Sequence, residues 1–411
     1  MPSNFQLRTR MKNRIHSILH FAHSRDLYPD IRTIEGAATP ETIIDGRKML
    51  MFSSNNYLGL SHHPEVIQAA VEAAKHFGVG SDGSRLLSGN LSIHQEFERK
   101  IALFKGADAA LMWPSGYSAN VGTITALLNP LKVSAKHFFE FKGVVFSDEL
   151  NHASIIDGIK MSGQKKIIYK HRDIDDLESK LMWHPFRKKL VVTDSVFSMD
   201  GDIAPLDKIA ELCKRHNALL MIDEAHATGV LGTHGHGSLE HFGLKAMEDV
   251  HIVLGTCSKA LAATGGFVVG EQMLIDYLRV ASRSYMFSTA TTPAASAALI
   301  KILTIIERDG FLREQLWRNT EYLRNKFQEI GFDTLGSETQ IIPILIGGDA
   351  KAIRFSRELF KRSIYGPAVR WPAVKKEKAR IRFTVMATHT KEHLDRLVGA
   401  CREIGKELSI I

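Results

Sequence analysis

The segment Ile252-Val253-Leu254-Gly255-Thr256-Cys257-Ser258-Lys259-Ala260-Leu261-Ala262-Ala263-Thr264-Gly265-Gly266-Phe267-Val268-Val269 joins two apolar runs through a loop of small residues with one lysine. Ile252–Leu254 and Phe267–Val269 have no polar alternation, which is the pattern of strands covered on both faces. Four more runs read the same way: Ala109–Trp113, Gly143–Phe146, Leu190–Thr193 and Leu219–Ile222. Helical periodicity fills the gaps between them. This alternation predicts an α/β fold, with a large, mostly parallel sheet and crossover helices. After Thr292-Pro293 the pattern changes. Leu312, Leu316, Leu323, Phe327 and Ile330 share one helix face, Ile341–Ile346 reads as a strand, and Leu394 to Leu408 as a last amphipathic helix. The expected division is an N-terminal arm (1–60), a large α/β domain (61–292) and a smaller C-terminal α+β domain (293–411).

The 411 residues carry 53 Lys+Arg against 45 Asp+Glu, a net +8 spread along the chain. That favours anionic small molecules and is weak support for nucleic acid, which is not expected as a partner. With 44% hydrophobic and 24% charged residues the composition excludes global disorder. Cys213, Cys257 and Cys401 are odd in number and far apart. They support neither a disulfide framework nor a metal site, and a reducing, cytoplasmic setting is expected. The basic start has no apolar run behind it, so no secretory signal is expected. Ser284–Ile300 is rich in Ser, Thr and Ala and contains Pro293, so no membrane span is expected.

The polar residues sit at the ends of the expected strands, where open α/β sheets bind ligands. Leu219–Ile222 runs into Asp223-Glu224-Ala225-His226. Ala109–Trp113 runs into Pro114-Ser115-Gly116-Tyr117, which opens a helix. Gly143–Phe146 leads to Asp148 and His152, and Ile252–Leu254 to Lys259. A carboxylate, two histidines, a lysine and a helix N-terminus thus converge on one rim. A partly desolvated lysine there is suited to forming a Schiff base with a carbonyl such as that of pyridoxal 5'-phosphate (PLP). That group needs an acid for its pyridine nitrogen, an aromatic lid and a phosphate cradle. Asp223, His152 and the Ser115–Ser118 turn are candidates for these. No G-x-G-x-x-G follows the first strand, which excludes a dinucleotide-binding dehydrogenase. Taken singly, Asp223 reads as a helix cap, each histidine as a structural residue, and Lys259 as a solvated charge. Tyr57 and Phe287 read equally as core packing and as cofactor wall.

The motifs SSNNYLGL (53–60), SGYSAN (115–120), DELNHAS (148–154), FSMDGD (197–202), DEAHATGVLG (223–232) and GTCSKALAATGG (255–266) together resemble the α-oxoamine synthase family. The resemblance runs from about residue 20 to residue 400. It implies PLP-dependent fold type I and a C-acyltransferase that condenses an amino acid with an acyl-CoA, or an acyl carrier protein thioester, releasing CO2 and the thiol. It makes Lys259 the Schiff-base lysine and the base, and Asp223 the partner of the pyridine nitrogen. His152 becomes the ring-stacking residue, and His226 and Ser198 the contacts to the phenolic oxygen. His226 is also the expected donor to the thioester oxygen. Gly116, Tyr117, Thr256 and Ser258 would hold the phosphate. Ser288 and Thr289 would reach the phosphate of a partner subunit, which implies a homodimer with shared sites. Asn55 and Arg382 would meet the amino acid, Arg382 at its carboxylate, and Arg25 would lie near the acyl substrate.

L-Alanine with a pimeloyl thioester is the expected pair. Other members, using glycine with acetyl-CoA or serine with a palmitoyl donor, and an aminotransferase on the same fold, are the alternatives. Two departures stand out. Trp371 and Ala373 replace a proline and a hydroxyl residue of the family pattern; if they line the acyl site, an uncharged acyl chain should be preferred over a ω-carboxylate. Leu131–Lys142 lengthens a connection and adds Lys132, Lys136 and Lys142.

Overall fold

The computed structural model describes residues 4–25, 27–28, 30–129, 143–185 and 187–411. The Leu131–Lys142 segment lies outside them. The strands in chain order are β1 (Glu41–Ile44), β2 (Arg47–Met51), β3 (Ala109–Trp113), β4 (Gly143–Asp148), β5 (Lys165–Tyr169), β6 (Lys188–Asp194), β7 (Ala218–Asp223), β8 (Ile252–Thr256), β9 (Gly266–Gly270), β10 (Ile341–Gly347), β11 (Ile364–Tyr365), β12 (Ala368–Val369) and β13 (Ala379–Thr384).

Seven of them form the central sheet, in the order β3-β9-β8-β7-β6-β4-β5. Strands β8, β7, β6, β4 and β5 are parallel neighbours, and β9 runs antiparallel to both β8 and β3. The apolar runs are continuous because both faces are covered. Along β7, Leu220 and Ile222 enter one hydrophobic cluster, while Met221 between them enters the other. Val191 of β6 and Val253 of β8 join the first cluster, with Leu190, Val192, Ile252 and Leu254 in the second. The fold class expected from sequence is borne out. β5 escaped that reading because it is the edge strand. Its Lys-Lys-Ile-Ile-Tyr keeps only Tyr169 fully buried, so no apolar run marks it.

Register fixes which residues share the rim. Asp194 of β6 lies opposite Asp223 of β7, and Asp223 opposite Leu254 of β8. Gly266 lies opposite both Thr256 and Trp113. The parallel strands therefore deliver Asp148, Asp194, Asp223 and Thr256 to one edge, with Trp113 leading into the Ser115 turn.

Two small sheets complete the fold. β10, β13 and β12 form an antiparallel sheet, and β2 pairs with β1 and with β11. Residues just after β2 are clasped by the end of β13: Thr384 N donates to Phe52 O at 2.8 Å, and Thr384 Oγ1 to Ser54 O at 2.7 Å. Ala387 N donates to Tyr57 O at 2.7 Å. This clasp carries Asn55 and Tyr57 to the rim from far away in sequence. A buried ion pair holds another approach. Arg85 forks onto Glu98 at 2.8 and 2.9 Å, and Glu98 also accepts from Met112 N at 2.9 Å. It pins the loop around Ser84, which bridges to Thr289, against β3.

Candidate active site

Lys259 lies just beyond β8, on a loop folded tightly onto itself. Cys257 N donates to Gly265 O, Ala263 N to Cys257 O, and Ala262 N to Lys259 O, at 2.8–2.9 Å. The small residues are required here. A Cβ on Gly266 would fall 2.6 Å from the Gly116 Cα, and one on Gly116 would fall 2.9 Å from the Thr256 Cβ. The lysine loop and the Ser115 turn thus meet backbone to backbone.

The lysine amine is 2.7 Å from His226 Nε2. His226 Nδ1 is 2.7 Å from the Tyr57 hydroxyl, which donates to Asn55 Oδ1 at 3.0 Å. With Tyr57 donating to Asn55, the proton on a neutral His226 lies on Nδ1, and Nε2 accepts from Lys259. Burial drives the imidazole well below its usual range, and the positive charges of Lys259 and Arg382 add to this, so the neutral form is favoured. Burial also lowers Lys259, to about 8. Asp223 and Asp194 oppose the shift and Arg382 assists it.

Asp223 is buried and bound on both oxygens: Oδ1 accepts from Ala225 N at 2.8 Å and Oδ2 from Asn120 Nδ2 at 2.7 Å. Asn120 also donates to Ser154 Oγ at 2.9 Å, which in turn lies 2.7 Å from His152 Nδ1. His152 caps the helix Ala153–Ser162 through that nitrogen, and its backbone N–H donates to Asp194 Oδ2 at 2.7 Å. The ring itself is exposed. Burial beside Asp223 raises Asp194 well above the usual carboxylate range, because two carboxylates share one edge.

The helix Gly116–Leu128 starts at the same rim. Ser115 caps it by accepting from Ser118 N at 3.1 Å. The first-turn amides of Gly116 and Tyr117 have no partner within the helix and suit an anion. Thr256 Oγ1 stands against Gly116 and lies 2.9 Å from Ser258 Oγ. Tyr117 points its hydroxyl to Asp157 at 2.6 Å, leaving only its backbone for the cradle. Arg382 of β13 donates through Nε to Ser198 O, tying Ser198 to the site.

The structure therefore forms two hydrogen-bonded chains, Lys259–His226–Tyr57–Asn55 and Asp223–Asn120–Ser154–His152, coupled through the charges of Lys259 and Asp223, with Gly116, Tyr117, Thr256 and Ser258 on the same rim and Arg382 and Ser198 paired at its flank. Ser288 and Thr289 are held elsewhere on the chain, by the Ser84 bridge and by Ala290 N donating to Gly83 O. Arg25 is exposed just past the helix Asn4–Ser24, and its guanidinium lies over Phe21 of that helix, 5.6 Å from the ring centroid. Trp371 and Ala373 are exposed on the turn 370–374. Their exposure within one chain leaves both side chains free to face an acyl substrate or a second subunit. Phe287 is 70% exposed and is not core.

Sequence reasoning missed Asn120, Asp194 and Gln340, whose Nε2 donates to His226 O at 3.0 Å. Asn120 closes the SGYSAN motif, which was its only local signal. Tyr57 resolves as a member of the relay.

A strand-end lysine, a buried carboxylate beyond it and a helix N-terminus built for a phosphate define the PLP-dependent enzymes of fold type I. The donor set fits that group: an amine, an acid, an exposed imidazole face and an amide cradle kept open by glycine. Comparison with known proteins agrees. The model for aminotransferase class I and II matches residues 47–400. The 8-amino-7-oxononanoate synthase of Thermoanaerobacter pseudethanolicus is 44% identical over 388 residues, 94% of this chain and 95% of the relative. That of Lysinibacillus sphaericus is 43% identical over 402 residues, 98% of this chain and 100% of the relative. A serine palmitoyltransferase from S. paucimobilis, solved with bound PLP–myriocin, superposes with a TM-score of 0.89 at 28% identity, covering 98% of this chain and 99% of its own. The chain belongs to the aminotransferase class I and II family, and the resemblance to its α-oxoamine synthases is borne out.

The lowered Lys259 has a kinetic consequence. Only the neutral amine adds to an aldehyde, so capture of PLP by cofactor-free protein is expected to accelerate with pH around a midpoint near 8. Stopped-flow absorbance at low PLP measures this; a midpoint near 10.5 would contradict the burial argument.

Proposed function

We propose that the chain is a PLP-dependent C-acyltransferase of the 8-amino-7-oxononanoate synthase type, serving biotin biosynthesis. It condenses L-alanine with a pimeloyl thioester and releases CO2 and the free thiol. The observation that carries this reading is the Lys259–His226–Tyr57–Asn55 relay facing Asp223, in a chain 44% identical to a relative of that name over nearly its full length.

PLP, when bound, supplies an electron sink for negative charge at the amino acid's α-carbon. Lys259 is the amine that would hold its aldehyde, Asp223 the carboxylate facing its ring nitrogen, and His152 the face against its ring. Gly116, Tyr117, Thr256 and Ser258 would hold its phosphate, and Ser198 and His226 its phenolic oxygen.

The other roles belong to the chain. Arg382 receives the amino acid's carboxylate; its Nε bond to Ser198 O fixes the plane of the guanidinium, and the planar fork suits a carboxylate. Lys259, with its pKa near 8, takes the α-proton at neutral pH and returns it. His226 accepts from Lys259 and so keeps the amine oriented. Its donation to the thioester oxygen requires a proton on Nε2, which the Lys259 amine 2.7 Å away can pass on after taking the α-proton; the resulting imidazolium keeps its Nδ1–H on the Tyr57 oxygen, and the proton given up from Nε2 leaves with the thiol. Asn55 faces the substrates beside this relay, and Arg25 lies on the acyl approach.

We assign these tasks to an arm (1–60), a large domain (61–292) and a small domain (293–411), acting as a homodimer in the cytoplasm. Among the described residues no helix is long and apolar enough to cross a membrane, and the three cysteines are free and buried. The dimer is supported by the loop that carries Ser288 and Thr289. Phe287 beside them is 70% exposed, and Val79 and Leu87, on the neighbouring loop, are 84% and 85% exposed. A second copy covering this face would bring Ser288 and Thr289 to its neighbour's phosphate.

Thiol release separates the condensation from transamination. Purified enzyme with L-alanine and a pimeloyl thioester, on CoA or on carrier protein, is expected to release thiol at a kcat/KM at least about tenfold above glycine with acetyl-CoA or serine with palmitoyl-CoA. Pyruvate formation without free thiol would support an aminotransferase instead. For the shared site, mixing inactive Lys259→Ala chains with weakened Ser288→Ala/Thr289→Ala chains is expected to restore activity, because one site of each mixed dimer is then complete. No recovery despite demonstrated subunit exchange would contradict shared sites.

A further inference from the structure

His171 lies two residues past the end of β5 with both ring nitrogens on carboxylates. Nδ1 is 3.0 Å from Asp148 Oδ1, and Nε2 is 2.7 Å from Asp202 Oδ2. Ionised carboxylates only accept, so both nitrogens donate and the ring is an imidazolium. Its edge packs against Phe197, with centroids 4.3 Å apart and planes at 89°.

The two carboxylates belong to different loops of the site. Asp148 ends β4 and shapes the turn leading to His152: its Oδ1 also accepts from Leu150 N at 2.9 Å, and its Oδ2 from Arg172 N at 3.0 Å. Asn151 in that turn locks onto β6 through Val192 O and Asp194 N, both at 2.8 Å. Asp202 closes the 197–202 loop, where its backbone O accepts from Phe197 N at 3.0 Å. The same loop carries Ser198, whose carbonyl anchors Arg382, and Asp200, which holds Arg380 at 2.6 Å. His171 is thus the side chain joining the His152 turn to the loop that anchors Arg382.

Arg172 lies 3.2 Å from both Asp202 and Glu338. Arg172 holds a positive φ of 57°, a left-handed conformation that a residue other than glycine sustains when its surroundings fix it. Glu149 accepts from His171 N at 3.3 Å and pairs with Lys375 at 3.2 Å.

We propose that His171 is a positioning residue: an imidazolium strut that locks the Ser198–Asp202 loop to the Asp148–His152 turn, and so sets Arg382 at a fixed place relative to the cofactor face. The proposal rests on the roles given above to Arg382 and His152.

Burial opposes the charge on His171, but the hydrogen bonds to Asp148 and Asp202 and their charges outweigh it, raising the ring from 6.5 to about 9. The sign follows: the stability the strut contributes is full below about 6.5 and is lost as pH rises through about 9, where the folded ring gives up its proton. In His171→Gln, Arg172 still bonds Asp148 through its backbone N–H and Asp202 through its guanidinium, so the strut is removed without every tie between the loops; Asp202→Asn removes the carboxylate at the other end of the strut and leaves the Arg172 N–H bond to Asp148 in place.

Two readouts test it. In cofactor-free protein at pH 7.5, amide hydrogen exchange across 197–203 is expected to quicken about tenfold or more in His171→Gln, and wild type is expected to show the same loosening between pH 8 and 10 once intrinsic exchange is subtracted. In the holoenzyme, the KM for L-alanine is expected to rise about tenfold in both variants, while the KM for the acyl thioester stays within about twofold, since only the carboxylate contact is displaced. Unchanged exchange in both variants would overturn the strut. Faster exchange with an unchanged alanine KM, or with both KM values rising together, would overturn the positioning role. Wild type that releases no thiol with any pair would sink the proposed reaction and leave the exchange result intact.

Discussion

A buried amine beside a neutral imidazole is the interaction on which the rest depends. Lys259 sits 2.7 Å from His226 with its charge penalised by burial. Asp223 and Asp194, delivered to the same rim by the register of β6 and β7, keep part of that charge in place. If the lysine were solvated it would stay protonated at neutral pH and be a poor nucleophile and base. If the carboxylates were absent, burial would depress it further. The sheet order, the tight loop after β8 and the backbone contact of Gly266 with the Ser115 turn all keep this balance in one place.

Two remote segments complete the site. The end of β13 clasps the chain after β2 and brings Asn55 and Tyr57 under His226. The same strand carries Arg382, so one element positions both the far end of the relay and the expected carboxylate anchor. A shift of β13 would move the two together. The second tie runs from β5 through His171 to the loop anchoring Arg382, so that arginine is held from its own strand and from the loop it bonds.

Much of this was legible in sequence because the strands are covered on both faces and end in polar residues. The apolar runs of β3, β4, β6, β7, β8 and β9 could be read directly, and so could Asp223, His226 and Lys259 at their ends. The edge strand β5 was not, since solvent on one side lets its lysines stand where core residues would be. Nor were β1, β2 and β11, which are short; β1 and β2 form a local hairpin, and β11 joins β2 across more than three hundred residues. The Asn120–Asp223 and Tyr57–His226 bonds span 103 and 169 residues, and no local spacing reports them. Asp194 follows the apolar run Leu190–Thr193 without any local signal of its own; only its register opposite Asp223 shows that two carboxylates share the rim. Trp371 and Ala373 lie exposed on a turn of the single chain, where no packing partner reports what they face.

Among the lysines of the described residues, Lys259 is the amine placed at the strand end beside His226, where PLP would bond. Borohydride reduction of the protein reconstituted with PLP, followed by peptide mapping, tests it directly. The account expects one phosphopyridoxyl group per chain, on the peptide carrying Lys259, and loss of that label in Lys259→Ala. A label of equal yield on another lysine, or one that persists in Lys259→Ala, would contradict it.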